Sequence, residues 1–495
     1  MGSNWSEKMP IQADFINTRT RLQSLQDEIP ELIVREFQIK SSGIRAILVY
    51  LDLLSDRNMI NNNVLHPLMH EGVGNTSIRQ LITIGNVSEA DDWQIVKQAL
   101  LQGQSVLFEE GKTVVEVLNT SKVPERAIQD PKSEMSIKGA HQGFIEKSST
   151  NVALIRSLIP NPELKVKEIE VGQRGTVIAN LIYLADVTKP EVLQEFEDRI
   201  RQLDIDSVIG VGELEELIED NPYSPFPQFL TSERPDVVAM HLLEGRVAVV
   251  LNGSSGVLMA PASFVNFFQN IDDYTMGWQV ATFMRLLRYS AFFVAMLLPA
   301  IYIAVISFNF EVIPLQLLLS VGESRAGVPF SPLIEALIME FTLEMLKEAG
   351  IRLPSPIGQT VGILGAIVIG QATVQAGIVS NIMVIVVSLT GLSSYIIPNS
   401  DMSSTVRLIR FPMMLLAAFF GLMGVGIGTM VLIGHLIALE SLGTPYLSPI
   451  SPVRFADWKD MFIRFPLWKL DKRPLSARPT QLKRQASNPP KGDGE

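Results

Sequence analysis

The chain is predicted to be α/β over its first part, in two subdomains, with a polytopic α-helical membrane domain behind it. Three observations carry this. Leu353–Ser400 runs for 48 residues without Asp, Glu, Lys, Arg or His. A single helix of that length would extend roughly 70 Å against a hydrocarbon core of about 30 Å, so the run should fold back and cross twice. Residues 1–288 hold 39 of the 52 acids but only 26 of the 41 bases, whereas the rest is slightly basic. Within the acidic part, short apolar β-type runs alternate with charged stretches of helical period.

Residues 1–40 are polar with an amphipathic pattern and read as an entry segment rather than a domain. Subdomain 1 is assigned to 41–135. It contains the apolar run Ile47–Leu51 and two β-rich runs, Ser105–Phe108 and Thr113–Leu118, which flank Glu-Glu-Gly-Lys as a hairpin. Pro- and Gly-punctuated sequence over Pro124–Gly143 marks the boundary. Subdomain 2 is assigned to 136–285, with a strand at Val177–Leu184, a charged helix over Pro190–Leu203, and a hairpin from Val247–Leu251 to Val257–Met259 around Asn-Gly-Ser-Ser-Gly.

The membrane domain is assigned to 286–450, with spans at about 289–310, 357–377, 379–397 and 411–434. Arg285 and Arg288 hold the start of the first span on the cytoplasmic side. Residues 311–352 carry six Glu against three Lys or Arg, which places them outside, with an amphipathic helix over 332–349 lying on the membrane. The tail, 451–495, is basic and therefore cytoplasmic, and its last 25 residues read as disordered. The opening MGSNWSEKMPIQADF lacks the regions of a secretory signal, so both termini fall on one side.

Chemistry is conspicuous by exclusion. No cysteine occurs, which removes disulfides, thiol catalysis and Cys-ligated metals. Walker, G-x-G-x-x-G, His-Glu-x-x-His and G-x-S-x-G patterns are missing, and the five His show no ligand spacing. No cofactor, no metal, no nucleic acid and no enzymatic role are expected; the acidic part offers no basic footprint for nucleic acid.

Three patterns carry function instead. On the helix 357–377, Gly358, Gly362, Gly365, Gly370 and Gly377 share a face suited to close helix packing in lipid. Val361, Leu364, Val368, Gln371 and Gln375 form a second stripe, which either lines a pore with an apolar constriction and an amide section or bonds to a neighbouring helix. On the helix from 332, Glu340, Glu344 and Glu348 form an acidic stripe, either a solvated face or a cation-concentrating vestibule. His435, near the end of the last span, is either an interfacial residue or a proton-sensing one.

Ordered motifs also resemble a family. Gly139–Glu146 (GAHQGFIE), Asn151–Arg156 (NVALIR), Phe226–Asp236 (FPQFLTSERPD), Leu242–Val250 (LLEGRVAVV), Arg325–Phe330 (RAGVPF), Met339–Pro354 (MEFTLEMLKEAGIRLP) and Gly443–Pro449 (GTPYLSP) resemble the A subunit of the GerA-type spore germination receptors. A stage V sporulation AF-like relative would share this architecture. The resemblance implies residence in the spore inner membrane among its lipids, self-association, and assembly with a transporter-like, nutrient-binding B subunit and a lipoprotein C subunit. It further implies that A subunits oligomerise into a nutrient-gated cation channel. A transporter-like subunit and a non-conducting membrane adaptor are the alternatives.

Overall fold

The structure, a computed structural model, describes residues 9–29, 31–71, 78–122, 141–353 and 368–486. Subdomain 1 begins earlier than the sequence suggests. Helix α1 (Phe15–Glu28) is capped by Asp14, whose carboxylate accepts from the Ile16 and Asn17 amides, and it buries Phe15, Leu22 and Leu25 in the core. Strand β1 (Leu32–Gln38) pairs along its whole length with β2 (Arg45–Leu51), from Leu32↔Leu51 to Gln38↔Arg45. Residues 9–40 thus belong to the domain. They look polar because β1 is an edge strand with Arg35 and Glu36 exposed, which dilutes the apolar signal.

Strands β3 (Val87–Ala90), β4 (Ser105–Glu109) and β5 (Val115–Leu118) complete an antiparallel sheet of order β1-β2-β4-β5-β3, with α2 (Trp93–Leu101) between β3 and β4. The expected hairpin over residues 105–118 is β4–β5, turned by Gly111 at φ +83°. Of the boundary region, residues 124–140 lie outside the described residues.

Subdomain 2 starts with α3 (Ser148–Leu158) and repeats the same topology. Strands β6 (Leu164–Val171), β7 (Val177–Leu184), β8 (Leu230–Ser232), β9 (Val247–Leu251) and β10 (Val257–Ala260) run β6-β7-β9-β10-β8, again all antiparallel. Helices α4 (Pro190–Arg201) and α5 (Val211–Ile218) precede β8, and α6 (Pro235–Glu244) follows it. Each subdomain is therefore two hairpins plus a fifth strand, the third in chain order, added at the far edge, a duplication that residue patterning alone leaves invisible.

The helical domain starts at Trp278. Helix α7 (Trp278–Ser307) is 30 residues long, eleven more at its start than the predicted span, because Arg285 and Arg288 sit inside it in ion pairs. After α8 (Leu315–Arg325) come α9 (Pro332–Arg352), a helical stretch at 368–375, α10 (Asn381–Ile396) and α11 (Ser400–Ala438). Of these, α7 and α11, the latter counted end to end over its 39 residues, are long and apolar enough to cross a membrane, each with a mean hydropathy of 2.2.

Two sequence expectations are corrected here. First, α11 is a helical hairpin. Gly421 adopts φ +60°, ψ −145°, a glycine-only conformation, and the chain reverses there. A Cβ on Gly428 would lie 2.6 Å from the Met413 sulfur and one on Gly424 would lie 2.1 Å from the Leu416 carbonyl. In a straight helix Gly428 and Met413 would stand about 22 Å apart. The stretch assigned to one crossing, 411–434, holds a turn that an unbroken apolar pattern conceals.

Second, α9 does not lie on an outer surface. Its start is fixed by Glu335, which accepts from the Ser380 amide at 2.9 Å, its middle packs Leu343 against Gly391, and its end sets Lys347 over the Tyr395 ring at 4.9 Å. It thus runs alongside α10 in the same direction for its full length, toward subdomain 2.

One apolar core joins subdomain 2 to the bundle, passing from Phe226 and Val250 through Phe264, Tyr289 and Phe292 to Met402 and Tyr446. Rigid attachment follows, since close-packed interiors transmit displacement. The tail contributes too. Residues 451–486 return along this junction, with Thr480 donating to the Val187 carbonyl at 2.9 Å and Arg473 to the Leu243 carbonyl at 2.7 Å. That corrects the reading of the last 25 residues as disordered, as far as Ala486; their Pro and basic content reflects a strap on a polar surface.

Candidate functional site

Helix α9 carries Glu335, Glu340, Glu344 and Glu348, and arginines meet all four. Arg325 bonds Glu335 at 3.0 Å. Arg410 bonds Glu340, both side chains almost fully withdrawn from solvent, and its Nε donates to the Ala295 carbonyl of α7 at 2.8 Å. Arg407 reaches Glu344 at 2.6 Å, and Arg352 reaches Glu348 at 2.7 Å. The acidic stripe is therefore not a free face. Glu340 and Glu344 point inward to the first arm of α11, and Glu348 stays exposed.

The pairing has a simple geometric origin. Glutamates one turn apart on α9 face arginines one turn apart on α11, and because the helices run antiparallel, 340 meets 410 and 344 meets 407. Buried Arg–carboxylate contacts offset the cost of desolvating each charge. The sequence holds one signal for this pairing: Arg407 and Arg410 stand about one turn apart, as Glu340 and Glu344 do.

A second charged cluster fastens α7 to the α/β region. Asp273 accepts from Arg285 at 2.9 Å and from Arg288 at 2.8 Å, and Asp460 in the strap accepts from Arg285 at 2.7 Å and from the Tyr274 hydroxyl at 2.8 Å. Burial pushes the Tyr274 hydroxyl far above the ordinary tyrosine range, so it remains a donor. A third contact clamps the hairpin at its base. The Ser224 hydroxyl and His435 Nε2 lie 2.8 Å apart, and Thr405 donates to the Pro225 carbonyl, so one loop of subdomain 2 holds both arms.

The predicted stripe is described in part. Val368 is 60% exposed, Gln371 and Gln375 are exposed beside it, and Gly370, Thr373 and Gly377 are half-buried on the other side. Gly377, at φ +63°, comes close to the Gly327 carbonyl, whereas a Cβ on Gly370 would meet nothing. Val361, Leu364, Gly358, Gly362 and Gly365 lie outside the described residues. A polar cavity of about 350 Å³ separates Arg234 and His241 from the Tyr395–Asn399 turn. Among the described residues no three His, Asp or Glu side chains converge as a metal site requires.

Residues 20–476 match the family described as Bacillus/Clostridium GerA spore germination protein. The chain belongs to that family. Among its relatives, spore germination protein B1 of Bacillus subtilis (strain 168) is 37% identical over 96% of this chain and 100% of its own length. Spore germination protein KA of the same strain is 38% identical over 92% of this chain and 86% of its own. An uncharacterized membrane protein of that strain, YfkQ, is also 38% identical, over 95% and 92%. Among solved structures, the N-terminal domain of the A subunit of the Bacillus megaterium spore germinant receptor GerK3 is 29% identical, covering 52% of this chain and 98% of that one at a TM-score of 0.41. For this GerA-family chain, the motif resemblance and the whole-length match agree.

Proposed function

We propose that this chain is the A subunit of a nutrient germinant receptor of the spore inner membrane, with both termini on the core side, and that copies of it oligomerise into a nutrient-gated cation channel whose opening triggers germination. A transporter-like B subunit binds the nutrient and a lipoprotein C subunit completes the complex. No covalent chemistry is needed. The observation that carries the reading is the exposure of Val368, Gln371 and Gln375 on one side of 368–375, inside a run without a single charge. Amides at membrane depth require water or another subunit, and a ring of copies supplies both.

In this reading Val361, Leu364 and Val368 form the constriction, closed by dewetting, and the two glutamines line the wider section. The glycine face packs against neighbouring helices. Of the acidic vestibule only Glu348 stays exposed, at the end of α9 nearest subdomain 2 and itself paired with Arg352, since Glu340 and Glu344 turn inward to the arginines of α11. The shared core and the Ser224–His435 clamp carry displacement of the α/β region to the hairpin. Reconstitution of the complex in vesicles is the test: nutrient should release trapped K⁺ at a rate linear in the ion gradient. A saturating flux would mean a transporter, and no flux a membrane adaptor.

A further inference from the structure

The strap does more than return along the junction. Its aromatic residues form a chain leading away from the first turns of α7: Phe462 lies 5.1 Å from the Tyr289 ring, Trp458 6.2 Å from Phe462, and Phe455 5.0 Å from Trp458. The inner members are packed, but the outer end is bare. Phe455 is 73% exposed and Val453 58%. The α7 turns bound by the strap, through Arg464 N donating to the Thr282 hydroxyl at 3.2 Å, leave Phe283 65% exposed as well.

Charge distinguishes this surface from a protein-docking one. Residues 453–469 hold Arg454, Lys459, Arg464 and Lys469 against Asp457 and Asp460, with Lys459 and Lys469 exposed, in a chain whose net charge is −11. Basic side chains among aromatics, next to the start of an apolar helix, match the chemistry of a bilayer interface, where rings sit at headgroup depth and ammonium groups meet lipid phosphates. The aromatic chain begins on Tyr289, buried at the first residue of the uncharged run of α7, and comes out to the surface at Phe455, while Phe283 and Leu286 on the turns before Tyr289 stay exposed. We infer that residues 453–469, with the first turns of α7, form an interfacial collar that binds the headgroup layer of anionic phospholipids.

The collar orients the α/β region against the membrane. Asp460 sits in the middle of the strap, bonded to Arg285 and Tyr274, so lipid contact at Phe455 is tied directly to the cluster that fastens α7. This rests on the reading that α7 and α11 span a bilayer, and the experiment separates the two.

The chain has no cysteine, so single labels are clean. Phe455→Cys and Met430→Cys, the latter 74% exposed midway along the returning arm of α11, are each labelled with bimane in the full chain. Each is reconstituted in vesicles of phosphatidylcholine and phosphatidylglycerol, with spin labels on the lipid headgroup or deep in the acyl chain. The expected result is headgroup-label quenching at 455, falling by about half without phosphatidylglycerol or with Lys459→Glu and Lys469→Glu together, and deep-label quenching at 430. Quenching at 455 by aqueous iodide alone, with 430 still quenched by the deep label, overturns the collar and leaves the spans standing. Shielding of 455 from every quencher assigns the surface to a second copy and likewise overturns it. Loss of deep quenching at 430 overturns the membrane placement and the collar together.

Discussion

Arg410 on the first arm of α11 is bound to Glu340 on α9, the two side chains 1% and 0% exposed, and the same guanidinium donates to the Ala295 carbonyl of α7. One arginine thus holds three helices. Breaking the pair from one side leaves an uncompensated charge, which costs about 3–5 kcal/mol in buried settings. Arg410→Met and Glu340→Leu are each expected to lower the thermal midpoint of the detergent-solubilised protein sharply. The double variant should recover most of the loss, and a double variant worse than either single one would contradict the pairing.

The hairpin of α11 depends on two glycines with no room for a methyl group. Gly424→Ala places a Cβ against the Leu416 backbone carbonyl, which cannot move as a side chain would, whereas Gly426→Ala meets nothing. A cost of about 1–3 kcal/mol is expected at 424, with little change at 426. Equal thermal midpoints for the two variants would argue for a straight helix.

Glu215 on α5 has its carboxyl pushed up to about 8 by burial and by the nearby Asp401 and Glu219 carboxylates, and burial beside Glu216 and Asp220 pushes Glu219 up to about 7. The folded chain therefore binds more protons than the unfolded chain between the ordinary carboxyl value of 4.5 and about 8. Stability contributed by the protonated form is present at pH 4.5 and below and is lost as pH rises through about 8, with a limiting slope of about 1.4 kcal/mol per pH unit for one group. Glu215→Gln should flatten the fall in thermal midpoint between pH 5 and 8 and stabilise at the alkaline end; an unchanged slope would mean that Glu215 ionises normally.

Asp460 joins the strap to α7 and to Tyr274. Asp460→Ala removes one of the two carboxylates on Arg285 and the acceptor of a buried hydroxyl, for an expected loss of about 2–4 kcal/mol. Hydrogen exchange should rise first across residues 457–470. Uniform exchange across the chain would mean that the strap is not held locally.

Much of the architecture is legible in the residues because its signals are local. The β4–β5 and β9–β10 hairpins announce themselves by Gly-containing turns between apolar runs, and the charged period of α4 separates it from both. What escaped depends on distant partners. Edge strand β1 is defined by β2 rather than by its own alternation. The inward course of α9 follows from arginines some 60 to 70 positions later, so its glutamates read as a solvated stripe until Arg407 and Arg410 are in place. A single residue, Gly421, turns one apparent crossing into two arms. Of the stripe, the phasing of Val368, Gln371 and Gln375 was readable from helical period alone, but no periodicity says what the exposed side faces.

That question is settled most directly by thiol modification during ion flux. Single cysteines at 368, 371 and 375, and at 370, 373 and 374, are placed in the reconstituted receptor and treated with a charged methanethiosulfonate while nutrient-triggered K⁺ release is recorded. Block or marked change at 368, 371 and 375, with little at the other three, is the expected result. Equal effects on both sides, or flux altered only at 370, 373 and 374, would contradict a pore lined by the valine and glutamine stripe.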